Sequence, residues 1–348
     1  MRTDELDYIL PEELIAQAPA EPRDSSRLLV ARREGGPFET RVFRELADLL
    51  KPGDILVTNS ARVMPARLLG YKYPTGARIE VLLLENSPSR PGGTGLRYKA
   101  LLRRRRRLEA GDRILFPESS LVATVIESDE EVGEDIIELD GVADVGAEID
   151  RIGRIPLPPY ITEYGGDLSR YQTVYARVSG SVAAPTAGLH FTPDLLRRLE
   201  ERGIGRVETH LRVGWGTFSP IRAERIEEHK LHAEEGEVTS EAAEAINAAR
   251  GRGGRIVAVG TTVTRLLETV ADEGGMVRPF CGATDLYITP GYRFRAVDVL
   301  ITNFHLPRTS LLALVAALLG VDRTLEAYEY AVRERFRFYS FGDAMLIE

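Results

Sequence analysis

Side chains able to move protons near neutral pH are few in this chain: five histidines, His190, His210, His229, His232 and His305. Imidazole is the side chain whose ordinary titration lies closest to pH 7. All five fall after residue 189, each beside turn formers, hydroxyl residues or other polar groups. Ala184-Pro185-Thr186-Ala187-Gly188-Leu189-His190 reads as a tight loop that delivers His190 to the start of a helix capped by Thr192 and opened by Pro193. Asp298 to Pro307 reads as an apolar strand ending in Asn303, Phe304 and His305 before a proline breaks it. Ligands of open α/β sheets bind outside the carboxyl ends of strands, so this loop is a site candidate.

Two further segments suit ligands. Val259-Gly260-Thr261-Thr262 reads as strand, tight turn and helix start, a place where free N–H groups favour a carboxylate or phosphate. It lacks the lysine of a P-loop. Gly214-Trp215-Gly216 follows a strand, and the sole tryptophan could stack on a base or fill the core. His229 and His232 stand three apart among glutamates, as two metal ligands on one helix face would, but the four-residue spacing of zinc proteases is missing. Arg103, Arg104, Arg105, Arg106 and Arg107 run together, either as a solvated face or as a phosphate contact. Only Lys51, Lys72, Lys99 and Lys230 are lysines, so phosphate contacts here would be mostly guanidinium contacts.

The elements that must position these residues fall into two textures. From Arg62 to Arg151, short β-rich runs follow one another with polar turns between: Ala66–Gly70, Ala77–Glu85, Arg97–Arg103, Arg113–Phe116, Leu121–Ser128 and Asp135–Asp140. Six such strands predict a small closed barrel. On either side the pattern is α/β: strands near residues 28–32, 55–58, 207–213, 255–259 and 297–302 alternate with helices starting near residues 193, 240, 261, 309 and 324. A further helix start is expected at Pro11-Glu12-Glu13. The predicted fold is therefore a mixed-sheet α/β domain built from both chain ends (1–61 and 152–348), with a six-stranded β-barrel inserted at 62–151.

Composition narrows the class. With 348 residues, 43% apolar and 28% charged, the chain is an ordinary globular one of about two domains. One cysteine, Cys281, can form no internal disulfide and no multi-thiolate zinc site, which fits a reducing compartment. The longest apolar run, Leu311–Leu319, is far shorter than a membrane span of about 20 residues. The N-terminus is acidic and has no apolar core of a signal peptide, so a cytoplasmic protein is expected. A net charge of −8 argues against indiscriminate nucleic-acid binding but leaves room for a local basic patch.

Taken together, the segments LPEELIAQAPAEPRDSSRLLV (10–30), GDILVTNSARVMPARL (53–68), YQTVYARVSGSVAAPTAGLHFT (171–192), THLRVGWGTFSPI (209–221), HKLHAEEGE (229–237), VAVGTTVTRLLE (257–268) and ITNFHLPRTSLLALVAALLG (301–320) resemble one family from end to end. It is the S-adenosylmethionine:tRNA ribosyltransferase-isomerases of queuosine synthesis. The chain departs from the family pattern at Trp215 and Leu231.

The resemblance implies an α/β domain with an inserted β-barrel. It implies transfer and isomerisation of the ribosyl part of S-adenosylmethionine onto the 7-aminomethyl-7-deazaguanine at the tRNA wobble position, giving epoxyqueuosine-tRNA, adenine and methionine. S-adenosylmethionine would be a consumed substrate, and neither a cofactor nor a metal is implied. The partners would be that tRNA and the cosubstrate, with no membrane, and a monomer or weak homo-oligomer. Such chemistry needs a base for the ribose C5′ proton beside the sulfonium and an acid for departing adenine. His190 and His305 are then the leading acid/base candidates, with His210 and His229 behind them. Gly188, Gly214, Gly216, Gly260, Thr261 and Thr262 would shape the cosubstrate pocket, the 260–262 turn holding the methionine carboxylate. Asn303 and Asp343 would bind sugar hydroxyls. Arg62, Arg67 and Arg103 to Arg107 would contact tRNA phosphates. A non-catalytic RNA-binding module, a metal hydrolase on His229 and His232, and a methyltransferase stay open as rivals.

Overall fold

The computed structural model describes residues 1–348 except 88–94, 104–107, 130–133 and 215–220. Two compact units are found: Met1–Arg62 with Pro159–Val178 and Ala184–Glu348, and Val63–Pro158 with Ser179–Ala183. The second unit thus runs past Arg151 to Pro158 and takes a short return segment, because helix α2 (Val145–Ile152) buries Val145 and Ile149 in the barrel core.

The first unit begins with β1 (Arg27–Ala31), β2 (Glu39–Val42), α1 (Leu46–Leu49) and β3 (Ile55–Asn59). The chain passes to the second unit at β4 (Ala61–Val63) and returns near β11 (Val178–Ser181). The first unit then continues through α3 (Pro193–Glu201), β12 (Gly205–Leu211), β13 (Glu234–Val238), α4 (Ser240–Gly251) and β14 (Ile256–Val259). It ends with α5 (Thr261–Val270), β15 (Phe280–Thr284), β16 (Val299–Asn303), α6 (Ser310–Leu319), α7 (Val321–Arg333) and β17 (Ala344–Ile347).

Its strands form one nine-stranded sheet in the order β15-β13-β12-β3-β14-β16-β17-β1-β2. The central pairs β12–β3, β3–β14 and β14–β16 are parallel, while β17 runs antiparallel to β16 and parallel to β1. Central strands are apolar on both faces, as a sheet sandwiched between helices requires. In β1, Leu29 and Ala31 pack toward α5, α6 and α7, whereas Leu28 and Val30 pack toward α1 and α3. This period-2 split is the pleat made visible.

The second unit is a closed barrel in the order β10-β7-β6-β5-β8-β9, with β5 (Arg67–Tyr73), β6 (Ala77–Ser87), β7 (Leu96–Arg103), β8 (Arg113–Leu115), β9 (Val122–Asp129) and β10 (Glu134–Asp140). Inward side chains such as Leu68, Val81, Ala100, Ile114, Val125 and Ile137 fill it.

Three expectations need correction. Glu12–Leu14 is a single 3-10 turn, since Ile15 bridges to Phe338 and takes the chain into extended backbone. Strands β2, β13, β15 and β17 of this sheet were not foreseen. β13 alternates buried glutamate and glycine with exposed glutamate, so it carries no apolar period. His229 and His232 do not share a helix, because only a 3-10 turn at Ile226–Glu228 precedes them. Among the described residues no group of three or more metal-ligating side chains is found, and no helix is long and apolar enough to cross a membrane.

Candidate active site

Strands β14 and β16 are parallel neighbours, so their carboxyl ends deliver Gly260 and Asn303 to the same rim. The 3-10 turn Thr186–His190 arrives there from the preceding Ala-Pro loop. One cavity at this rim is lined by Thr186, Val213, Gly260, Thr261, Thr262, Thr302, Asn303, His305 and Leu311 among others. A second shares Thr186, Asn303, His305 and Leu311 and continues to Thr309, Tyr339 and Ser340. Each is small, about 20 Å³, which is room for a water molecule.

The turn into α5 depends on Gly260, whose φ of 92° lies in the region that favours glycine. It leaves Thr261 and Thr262 in the first helical turn, where N–H groups have no intrahelical acceptor. Asn59 at the end of β3 braces this corner. Its Oδ1 accepts from Ala61 N at 3.0 Å and Leu211 N at 3.1 Å, and its Nδ2 donates to Leu211 O at 2.9 Å.

His190 is buried, 4% exposed, and stacks on Phe43 at 4.9 Å between centroids. Its Nδ1 meets Ser26 Oγ at 2.7 Å and its Nε2 meets Asn303 Nδ2 at 3.1 Å. The Asn303 amide also donates to Tyr339 O at 3.1 Å, which fixes Nδ2 as the donor end. An amide N–H facing Nε2 makes that nitrogen an acceptor, so the proton sits on Nδ1 and is given to Ser26. Burial holds the ring neutral, its pKa pushed down to about 4. Both nitrogens of His190, expected as an acid or base, thus meet protein partners. What the relay positions is Asn303 Oδ1, a buried acceptor with no partner among the described residues. Asn303 lines both cavities.

The neutral state of His190 has a measurable consequence. An unfolded histidine titrates near 6.5, so on acidification the unfolded chain takes the proton first. The ring's contribution to stability is complete above about pH 6.5 and drains away as pH falls toward 4. The unfolding free energy should therefore lose about 3 kcal/mol more between pH 7 and pH 4 in the wild type than in a His190→Asn variant. Urea midpoints at both pH values check this, and parallel pH profiles would refute it.

His305 differs. Its Nε2 bonds Thr302 Oγ1 at 2.8 Å, while its Nδ1 has no protein partner among the described residues. Tyr328 Oη accepts from the His305 backbone N–H at 3.0 Å, and Tyr8 Oη donates to the His305 carbonyl, so the main chain is held from both sides. Burial pushes the ring pKa down to about 3, which keeps it neutral. It lines both cavities.

The remaining expected residues disperse. His210 lies on β12 opposite Glu237, its titration lowered by burial and by Arg212, and it lines none of these cavities. His229 packs edge-on against Tyr287 at 5.6 Å, its titration lowered by burial and by His232. Gly188 is tight for another reason. A Cβ there would stand 2.2 Å from Tyr175 Oη, so it serves packing. Asp343 is 1% exposed, and its oxygens already accept from Arg27 N, Arg337 N and both guanidinium groups at 2.8–3.4 Å. Its carboxylate, expected to bind a sugar hydroxyl, thus fastens the segments of Arg27 and Arg337 together. Gly214 donates its N–H to Glu234 Oε1 at 2.9 Å. Gly216, Trp215 and Arg104 to Arg107 lie outside the described residues. Arg67 is committed to Glu80 at 2.7 Å, whereas Arg62 and Arg103 are exposed.

Sequence reasoning missed Ser26, Asn59, Thr186, Tyr339 and Ser340. Ser26 stands in one of the motif segments, but nothing local marks a serine whose partner is 164 residues away. A buried pair, Glu234 and Arg265, was missed as well. Both are 5% exposed and joined through Arg265 Nη1.

Comparison with known proteins agrees with this architecture. A family model described as "Queuosine biosynthesis protein" matches residues 3–347. The chain is 53% identical, over the whole of both chains, to the S-adenosylmethionine:tRNA ribosyltransferase-isomerase of Moorella thermoacetica. It is 50% identical, again over both whole chains, to that of Pelotomaculum thermopropionicum. The crystal structure of S-adenosylmethionine tRNA ribosyltransferase from Thermotoga maritima matches with a TM-score of 0.56 and 39% identity, covering 99% of this chain and 100% of that one.

Proposed function

The chain belongs to the S-adenosylmethionine:tRNA ribosyltransferase-isomerase family of queuosine biosynthesis, and from that premise we propose how its own residues carry the reaction. The ribosyl moiety of S-adenosylmethionine is transferred to the aminomethyl group of 7-aminomethyl-7-deazaguanine at the tRNA wobble position and isomerised. Adenine and methionine leave, and the product is epoxyqueuosine-tRNA. The observation that carries the assignment of the site is the pairing of Asn303 Oδ1, an orphaned buried acceptor, with the free Nδ1 of His305 on one cavity wall.

His305 takes the C5′ proton of the ribose. A ring held near pKa 3 is a weak base, so the driving force comes from the substrate, whose sulfonium acidifies the adjacent carbon. Thr302 orients the imidazole through Nε2. Asn303 Oδ1 accepts from a sugar hydroxyl, a donor being what the orphaned oxygen requires. The first-turn amides of α5 at Thr261 and Thr262 receive the methionine carboxylate, where the helix N-terminus favours negative charge. Cavities of about 20 Å³ do not admit a nucleoside, so cosubstrate entry spreads the rim loops.

The test is direct. Incubation with S-adenosylmethionine and tRNA bearing the aminomethyl base should release adenine and methionine in equal amounts, and tRNA with unmodified guanine should release neither. Formation of S-adenosylhomocysteine instead would replace this reading with methyl transfer.

A further inference from the structure

The outer face of the barrel carries a feature that the chemistry above does not use. Along β5 the outward positions are Leu69, Tyr71 and Tyr73, exposed by 43%, 40% and 57%. Leu115 on β8, opposite Tyr71, is exposed by 38%. Large apolar side chains are seldom left together at a surface without a partner. Cross-strand neighbours are basic: Arg78 on β6 stands opposite Tyr71, and Arg113 on β8 opposite Tyr73. A groove of about 800 Å³ runs beside this stripe, lined by Tyr71 together with Arg78, Arg103, Arg151 and Arg154.

Most arginines of this protein are tied to carboxylates, as Arg67 is to Glu80 and Arg151 to Glu148. Arg78, Arg103, Arg113 and Arg154 are exposed and make no ion pair with any described residue. The groove's own acids are Glu80, already neutralised by Arg67, and Glu118. A protein of net charge −8 therefore concentrates unpaired positive charge beside two uncovered tyrosine rings.

We infer that this face, Tyr71 and Tyr73 with Arg78, Arg103, Arg113 and Arg154, is a platform for single-stranded nucleotides of the tRNA, a partner that rests on the function proposed above. Side chains two apart on a strand are spaced by about 7 Å, a repeat that suits successive splayed bases on an extended strand. Base–aromatic stacking supplies sequence-tolerant affinity, and guanidinium groups alongside track the phosphates. Duplex RNA hides its base faces in the stack and cannot use the rings. The wobble base must itself be unstacked to react, and a platform that engages loop nucleotides holds the loop open.

The experiment measures anisotropy of a fluorescent single-stranded oligoribonucleotide, a duplex of the same length, and the full tRNA. Tyr71→Ala and Tyr73→Ala should each weaken single-strand binding by about 5- to 100-fold and leave the salt slope unchanged. Tyr71→Phe should bind like the wild type, because the ring is kept. Arg78→Gln and Arg113→Gln should each make the slope of log K against log salt shallower by about 0.7. All these positions are exposed, and equal thermal midpoints confirm folding. Undiminished binding by the double alanine variant, preference of the wild type for duplex, or no single-strand binding by the wild type each overturn the inference. The functional reading fails separately: adenine release by variants that bind normally leaves it standing, and tyrosine-dependent binding without adenine release removes it alone.

Discussion

Replacing His305 by glutamine is expected to lower the rate of adenine release by about two to four orders of magnitude at saturating S-adenosylmethionine and tRNA, the usual contribution of a positioned general base. Glutamine keeps a polar group near Thr302 but cannot take a proton from carbon. The loss should appear in kcat and not in KM, because the proton moves only in the transition state. The wild-type rate should stay flat from pH 8 down to about pH 5, since the folded ring charges only near its lowered pKa of about 3. A His305→Gln variant with unchanged kcat would move the base elsewhere. His190→Gln provides the contrast. It should raise KM and lower kcat modestly, because it loosens Asn303 without removing a proton acceptor.

The second large effect is structural. Arg265→Leu should lower the unfolding free energy by about 3–5 kcal/mol, the range for removing one partner of a buried ion pair. Glu234, 5% exposed, would then lose the guanidinium that faces it. Arg265 also donates through Nε to Leu286 O at 3.0 Å, so the substitution frees a carbonyl as well. Replacing both partners by leucine should cost less than Arg265→Leu alone, because no charge remains buried. Urea unfolding decides between these outcomes, and a loss below about 1 kcal/mol in the single variant would show the pair to be solvated. Glu234 also receives the Gly214 N–H, so the variants should raise KM for S-adenosylmethionine through the segment that enters the rim.

These predictions rest on different amounts of sequence information. The two ends of the α/β unit and the six strands of the barrel were readable because hydrophobic period is local. Thr192, Thr239 and Thr309 cap α3, α4 and α6 through bonds to amides three residues on, and such signals sit within one turn of the residues they govern. Strand β17 escaped notice because it is inserted between β16 and β1, the latter from the opposite end of the chain, and Ala344–Ile347 alone is only a short apolar run. Strand β13 escaped because its inward residues are Glu234, Gly236 and Val238, two of which carry no apolar signal.

By itself the sequence singled out three loops that folding brings to one rim: the 184–192 turn, the Gly260-Thr261-Thr262 corner and the Asn303–His305 strand end are each defined by a few neighbouring residues. Only the tertiary structure decided what each group in them is free to do. Ser26 and Asn303 reach His190 across 164 and 113 residues and take both its nitrogens, while Arg27 and Arg337 saturate Asp343. His305 keeps one nitrogen for a ligand. Residue type fixes the protons and lone pairs a side chain owns. Whether they remain available depends on partners that folding brings from elsewhere in the chain, and local spacing does not record them.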